Sequence, residues 1–592
     1  MFKWLFRLLL LGLLALGGWY VYQRYFGAAP SQALGLVPAD AVMVFESRRP
    51  IAGWKEFSQS ALWTHLHTHP AFAEIDAQAR TLDSLIREHE VLLDIAGDRT
   101  LTFSLHLTSA RDFDFFYALD LKDKQAQLLG EVLPPILRQF DPRLRTRQFE
   151  GHELIELREA GDPSALTVAL VDNLLLASYT PRLVETALQQ LTNSPWDSDT
   201  AFTQVRQLVD PSRFFNLYLR MDRLDDFARL YSDSQIDLLR QLGEVAPLAG
   251  LDFDTKADWT TLQGHFALRD SGTTYLHALH GVGAGERLAP RIASERTAVY
   301  LGLLFDDYLR VFDAFESQLR RSDPKQHADY RRQLDQVEGF LKIDIRKDLV
   351  SWFGREVALL TYPARKHSGR TSDRLLLIHA RDRQLAEAGL GHILKQIRRR
   401  TPVKFKPLAY KDYTIQVLEV KGLFKLVLGK LFAKFERPYF AYVDDFVVFS
   451  NQLETLQDFL DDHAAGRTLD RQPEFKAVAD RVGSRGQLFA YGASEPLMPL
   501  LSDFLSPATV ADLKQNEAYA RSFRAMGIRM ASEPSGYGLE LTLRYEAAQA
   551  DSTDAEDELE TPGLGQELVI RLDAEGPYTE TYANGKPRVR AY

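Results

Sequence analysis

The sequence predicts an α+β protein: two tandem related domains of mainly antiparallel sheet with helices packed on one face, after an N-terminal transmembrane helix. Three observations predict this. Similar stretches recur in the same order in both halves of the 592-residue chain. Many apolar stretches alternate with polar residues and are joined by short turns such as VDN and VDD, which is typical of antiparallel strands. One uncharged apolar segment stands near the N-terminus.

The N-terminal segment has the length and the flanks of a membrane anchor. The stretch from Trp4 to Tyr22 would form roughly 28 Å of helix, enough to cross a bilayer. The positive-inside rule places the N-terminus in the cytoplasm and the bulk on the other side. Bulky aromatics directly before GAAPSQA favour an anchor over the alternative, a cleaved signal peptide. The predicted interfacial anchors are Lys3, Arg7, Trp19, Tyr20, Tyr22 and Arg24.

Composition excludes several classes of site. The chain has no cysteine, which rules out disulfides, thiolate metal sites and cysteine nucleophiles. Its net charge of −10 argues against a dedicated nucleic-acid binder. The charge is uneven, because residues 395–437 carry twelve Lys or Arg and only three Asp or Glu. The sequence therefore predicts a folded, acidic protein with one local basic region.

The internal similarity predicts two copies of one domain. LTVALVDNLLLAS (166–178) resembles PYFAYVDDFVVFS (438–450), and further pairs follow in order at offsets of 257 to 277 residues. We predict an anchor and short linker at 1–33, a first copy at 34–292 and a second copy at 293–546. An acidic linker at 547–565 and a C-terminal β-hairpin at 566–592, turning at Asn584-Gly585, would follow.

Two short stretches are similar to a known family. The exported part opens with Leu36-Val37-Pro38-Ala39-Asp40, and the second copy carries Trp352-Phe353-Gly354-Arg355-Glu356. Both resemble motifs of an uncharacterised bacterial family of exported, membrane-anchored envelope proteins, known only as a domain of unknown function. The resemblance implies an inner-membrane anchor with the bulk in the periplasm, and it brings no activity. The first copy keeps only Gly97 of the second motif.

No motif predicts catalysis, a metal or a cofactor. WTHLHTHPAF (63–72) places His65 and His69 at the i, i+4 spacing of a zinc pair, but no third ligand follows. LDFDTKADW (251–259) lacks the glycine and glutamate of a calcium-binding EF-hand loop. We therefore expect a non-catalytic protein.

The stretch KGLFKLVLGKLFAKFERP (421–438) is the strongest candidate contact region. It is eleven residues longer than the corresponding loop of the first copy, and as a helix it would be amphipathic. It could pack on its own sheet, lie on lipid or meet a protein partner, and the sequence leaves all three open. Its predicted contact residues are Lys421, Phe424, Lys425, Val427, Leu428, Lys430, Leu431, Lys434 and Phe435.

Together these features predict a non-catalytic, membrane-anchored periplasmic binding or scaffold protein of the cell envelope. Its expected partners are the inner membrane and an envelope protein or a lipid. The alternative is a carrier or sensor of lipid or another apolar ligand. An apolar cavity with a mouth near 421–438 would favour that alternative, whereas a tightly filled core would count against it.

Overall fold

A computed structural model of the chain describes residues 33–66, 99–121, 145–158, 165–232, 237–269, 275–365, 368–400 and 406–546, with four short strands between residues 572 and 590. These residues form helices and antiparallel strands, which confirms the predicted α+β class. No helix within the described ranges is long and apolar enough to cross a bilayer. The predicted anchor segment up to residue 32, with all six of its interfacial residues, and the acidic linker lie outside these ranges.

Twenty of the described strands form one antiparallel sheet. The first half contributes β1 Met43–Ser47, β2 Leu101–Ser109, β3 Asp112–Asp120, β4 Arg145–Phe149, β5 His152–Arg158, β6 Ala165–Val171, β7 Leu174–Ser178, β8 Asn216–Arg220, β9 Leu248–Lys256 and β10 Trp259–Ala267. After the short β11 Gly285–Glu286, the second half contributes β12 Val299–Leu304, β13 Phe353–Pro363, β14 Ser372–Ala380, β15 Leu408–Tyr410, β16 Tyr413–Val417, β17 Tyr439–Val443 and β18 Phe446–Ser450. The chain continues with β19 Arg485–Gly486, β20 Leu488–Ala493, β21 Ala525–Glu533, β22 Gly536–Arg544, β23 Leu572–Asp573, β24 Gly576–Pro577, β25 Thr579–Ala583 and β26 Lys586–Arg590.

Helices connect the strands in both halves. Those of the first half are α1 Pro50–Ser58, α2 Ala61–Leu66, α3 Pro181–Gln189, α4 Thr200–Leu208, α5 Leu224–Ala228, α6 Asp237–Val245 and α7 Tyr275–His280. Those of the second half are α8 Tyr308–Ser322, α9 Pro324–Leu341, α10 Ile345–Asp348, α11 Arg383–Arg400, α12 Leu423–Leu428, α13 Leu453–Ala464, α14 Pro473–Val482, α15 Ser494–Leu497, α16 Pro507–Gln515 and α17 Glu517–Ser522. Several begin at a side-chain cap, as α8 does at Asp307, whose carboxylate accepts the Leu309 backbone N–H.

The two halves of the sheet follow the same plan. The first runs β4-β5-β6-β7-β3-β2-β1-β8-β9-β10. The second runs β15-β16-β17-β18-β14-β13-β12-β20-β21-β22, with each strand in the corresponding place. Even the turn backbones agree, since Asp172 and Asp444 at equivalent hairpin tips have φ values of 51° and 50°.

The last strands of the two halves join them into one sheet. β10 pairs with β22 in antiparallel register, with Gln263 directly opposite Glu540. The Gln263 Nε2 donates to Glu540 Oε1 at 3.3 Å. These two residues hold the same place in their respective hairpins, β9–β10 and β21–β22. A local twofold axis therefore passes between them.

The prediction that helices cover one face of the sheet is wrong for the second half. There, α8, α9, α11 and α12 pack on one face, in a cluster around Leu376 and Phe449. Helices α13 and α14 pack on the other face, around Leu377 and Val448. The physical reason lies in the strands themselves. β18 is buried at all five positions, so both of its faces need a cover, as is usual for continuous apolar runs rather than alternating ones.

Candidate functional site

The predicted contact segment at 421–438 is part of the helical layer of the second half. Helix α12 lies between Gly422 and Gly429, whose φ values of 77° and 91° are left-handed and suit glycine. Glu156 of β5 pairs with Thr167, and at the corresponding point Val417 of β16 pairs with Tyr439. The second connection is eleven residues longer, as the sequence comparison indicates.

Four of the predicted contact residues lie in the core. Phe424, Val427, Leu428 and Phe435 are exposed by only 1%, 0%, 3% and 2%. The Phe424 ring packs edge-on against Phe449 of the sheet, with centroids 4.9 Å apart. The Tyr308 hydroxyl of α8 donates to the Val427 carbonyl at 2.6 Å. These apolar side chains are therefore not available to a membrane or a partner in this fold, whereas Leu431 is 37% exposed.

What this segment shows to solvent is its positive charge. Lys425, Lys430 and Lys434 are exposed, and none makes an ion pair within the described part of the chain. The remaining predicted lysine, Lys421, is also exposed and lies 3.6 Å from Glu436. The burial of the apolar side fixes the backbone, so these lysines are held outward. We call Lys425, Lys430 and Lys434 the lysine face.

A groove lined in part by β16, the strand that precedes this segment, carries further cations. It lies between the last turns of α11 and strand β16, has a volume of about 310 Å³, and is lined by Gly391, Leu394, Lys395, Arg398, Arg399 and Gln416. Beneath it a smaller cavity of about 20 Å³ reaches Ile397, Pro407 and Val417. That volume suits one water molecule and is far too small for an acyl chain.

The Trp352–Glu356 motif holds the segment that joins the two halves against the second half. The Glu356 carboxylate is fully buried and accepts backbone N–H groups of Leu288 and Ala289, at 2.6 and 2.7 Å, from the segment between the halves. It also accepts the Tyr300 hydroxyl of β12. Burial raises the pKa of this carboxyl above its ordinary value.

Gly354 of the same motif is required by a close approach. A Cβ there would lie 1.9 Å from His379 Nδ1 of β14. The neighbouring Trp352 is fully buried and donates its indole N–H to the Asp348 carbonyl at 3.2 Å. The contacts of this motif are thus structural, and they explain its residue types without a ligand.

The first half also contains a Ser-His-Asp arrangement that was not predicted from the sequence. Ser104 Oγ lies 2.8 Å from His106 Nε2, and His106 Nδ1 lies 2.8 Å from Asp40 Oδ1. The hydrogen bond with His106 lowers the pKa of the Asp40 carboxyl. The signal was the Ser-x-His spacing in LTFSLHL, which places both side chains on one face of β2. Ser104 and His106 are both fully buried, so the hydroxyl is closed to a substrate in this structure.

His65 of the predicted histidine cluster joins the two halves. It is 2% exposed and packs against Tyr519 and Tyr545, with ring centroids 5.5 and 5.2 Å away. Its Nε2 lies 2.9 Å from Ser522 Oγ. His67 and His69 lie outside the described residues. Among the described residues no group of three His, Asp or Glu could hold a metal ion.

This histidine predicts a pH dependence of stability. Burial lowers the pKa of His65 below its ordinary value of 6.5. The unfolded chain therefore binds the proton more readily, so the contribution of neutral His65 is complete above pH 6.5 and is lost as the pH falls through the folded pKa. We expect the difference in unfolding free energy between the natural chain and His65→Phe to shrink between pH 7.5 and 5.5 in urea titrations. A constant difference would contradict this role.

Residues 305–540 match the model of the family described as "Protein of unknown function (DUF3352)". This match confirms, for that part of the chain, the resemblance to a family without a characterised activity. No curated protein matches the chain. Among solved structures, crystal forms I and IV of TP0453 are 12% and 11% identical, with TM-scores of 0.23 and 0.22. They cover 42% and 41% of this chain and 82% and 83% of their own, and at these scores they support no inference.

Proposed function

We propose that this protein is a membrane-anchored, non-catalytic binding protein of the cell envelope, made of two copies of one domain. In this proposal the second copy rests on anionic lipid headgroups through its lysine face. One observation carries the proposal: Lys425, Lys430 and Lys434 project from a segment whose phenylalanines and most of whose other apolar side chains are buried in the core. The contact is therefore electrostatic rather than an insertion of apolar residues.

The expected strength of such a contact is modest. Each Lys or Arg near an anionic membrane surface contributes about 1 kcal/mol at physiological ionic strength. Three lysines alone would bind weakly from solution, but the predicted N-terminal anchor keeps the domain at the membrane and raises its effective concentration. The rest of the chain is acidic, since the whole carries −10 despite the basic region at 395–437. Repulsion of the acidic parts would orient the basic face toward the lipid.

The alternative, a carrier of an apolar ligand, has less support. It needs an apolar cavity near 421–438, and the cavity beneath the groove holds about 20 Å³. The side chains at this place, such as Leu423 and Phe424, are instead packed against each other and the sheet. The lipid headgroup proposal needs no cavity.

A fluorescence experiment on the full-length chain tests the lysine face. Because the chain has no natural cysteine, Leu431→Cys gives a single labelling site on the segment. In proteoliposomes with a headgroup quencher, we expect quenching with phosphatidylglycerol and little with phosphatidylcholine alone. Quenching should fall severalfold in about 0.5 M salt, because screening weakens exposed charges. It should fall similarly when Lys425, Lys430 and Lys434 are changed to Gln.

Two controls make this result specific. Replacing Lys55, Lys476 and Lys514, which are exposed on other helices, removes the same charge and should leave the quenching unchanged. A label at Leu208→Cys in the first half, where the side chain is 46% exposed, reports general proximity to the bilayer. Equal quenching with both lipids, or none with the anionic one, would overturn the proposal.

A further inference from the structure

The groove between α11 and β16 has the features of a binding site for a phosphate group, and we propose that it is one. Lys395, Arg398 and Arg399 of α11 line it, and Gln416 faces them from β16. None of these three cations makes an ion pair or side-chain hydrogen bond within the described residues. Three cations and an amide that line one concave site match the charge and hydrogen-bonding needs of a phosphate group, and a volume of about 310 Å³ leaves room for it and for part of the molecule that carries it.

Gly391 gives a second and independent reason. It lies inside the 18-residue helix α11, where glycine weakens the helix relative to alanine. Nearby Gly389 has a packing reason, since a Cβ there would lie 2.1 Å from the Asp348 carbonyl oxygen. At Gly391 a Cβ would meet nothing within 4 Å. Packing therefore does not require this glycine, and the groove is wider at this point than it would be with a larger residue.

The dipole of the helix does not account for the cluster. Basic residues in the last turn of a helix suit the partial negative charge there, and Arg398, Arg399 and Arg400 all benefit. That effect falls off within one turn of the helix end, so it explains neither Lys395 nor the glycine at position 391. The helix dipole therefore explains Arg398 and Arg399, but it does not explain Lys395 or Gly391.

The sequence of the first half does not repeat these groups at the matching positions. Gln416 pairs with Phe440, and its counterpart by strand register is Ile155, which pairs with Val168. When LKDKQ (121–125) is aligned with ARDRQ (380–384), the sequence positions matching the three cations hold Ile136, Gln139 and Phe140. The sequence shared by the two halves therefore does not include the cations, and they are specific to the second half.

This inference deepens the proposed function, because the phosphate would come either from a lipid headgroup at the same membrane or from a free phosphate compound. The groove and the contact segment follow each other along the chain, since Gln416 of β16 lines the groove and Lys421 begins the segment five residues later. A headgroup phosphate in the groove would add a specific contact to the diffuse attraction of the lysine face. A free phosphate compound would occupy the groove without a bilayer.

Binding is tested first without a bilayer. The full-length chain in a nonionic detergent is titrated with inorganic phosphate and followed by ³¹P line broadening. In a parallel arm, detergent micelles contain phosphatidic acid or phosphatidylcholine. We expect broadening by the natural chain in at least one arm, with a tenfold or greater loss of affinity in Arg398→Gln/Arg399→Gln. Response to phosphatidic acid alone identifies a lipid headgroup, and response to inorganic phosphate identifies a free compound.

Two matched variants keep the test decisive. Arg400→Gln removes a cation from the same turn that does not line the groove, and it should bind like the natural chain. Gly391→Leu fills the groove but favours the helix, so it should lose binding while its melting temperature stays the same or rises. Binding that survives in Gly391→Leu, or no binding in either arm, would overturn the inference. Because no bilayer is present, this outcome is independent of the quenching result for the lysine face.

Discussion

Replacing Glu356 by Ala is expected to lower the free energy of unfolding by about 3–5 kcal/mol, among the largest effects of any single substitution in this protein. The carboxylate is fully buried and accepts three hydrogen bonds, two from the backbone between the halves and one from Tyr300. Alanine leaves these three donors without an acceptor in the core. Each such donor costs about 1–3 kcal/mol, partly offset because a buried charge is also removed.

Glu356→Gln separates the hydrogen bonds from the charge. Leu288 and Ala289 both donate to the same oxygen, Oε2, which the glutamine carbonyl can replace. The glutamine amide then occupies the place of Oε1 and donates to the Tyr300 oxygen. We expect this variant to lose about 1–3 kcal/mol at neutral pH, less than the alanine variant, because the two backbone donors keep an acceptor and only the Tyr300 O–H loses its own.

The difference in unfolding free energy between the natural chain and Glu356→Gln should depend on pH in a defined direction. Burial raises the pKa of Glu356, so the folded chain holds this proton more tightly than the unfolded chain. The contribution of Glu356 is therefore greatest at low pH and falls as the pH rises through the folded pKa. As the pH rises through the folded pKa of Glu356, the free energy of unfolding of the natural chain should therefore fall relative to that of Glu356→Gln. Urea titrations followed by tryptophan fluorescence measure this difference.

A surface glutamate provides the control. Glu387 lies on α11, is 47% exposed and pairs with Arg383 at 2.9 Å. Glu387→Ala should change the unfolding free energy by no more than about 1 kcal/mol, as is usual for an exposed pair. If Glu356→Ala were no worse than Glu387→Ala, the connection between the halves would not depend on the buried carboxylate.

Local patterns in the sequence predicted antiparallel strands and the hairpin turns at VDN and VDD. The hairpin tips at Asp172 and Asp444 and the longer loop of the second half could be read by comparing the halves. Contacts between distant segments could not be predicted in this way, because a helical wheel shows which side of α12 is apolar but not which residues cover that side. The wheel of this segment therefore left its own sheet, lipid and a partner all open. The groove was hidden for the same reason, since Gln416 reaches it from a different element.

The contact segment gives the second large expected effect. Phe424→Ala should lower the free energy of unfolding by about 3–5 kcal/mol, because it removes a phenyl ring from a filled core. The ring is 1% exposed and lies against Phe449, so its neighbours cannot readily close the space. Its neighbour Lys425 is exposed, and Lys425→Ala should change stability by no more than about 0.5 kcal/mol.

This pair of variants separates folding from binding on one helix. Under conditions where both variants are folded, Phe424→Ala should keep the headgroup quenching of the Leu431→Cys label, whereas the change of the three lysines should lower it severalfold. The reverse result, with Phe424→Ala as stable as the natural chain but unable to reach the lipid, would mean that the ring leaves the core and enters the bilayer. The segment would then be an apolar insertion device. The expected result would instead mean that the phenylalanines of this segment stabilise the fold, and that its lysines make the contact with the membrane.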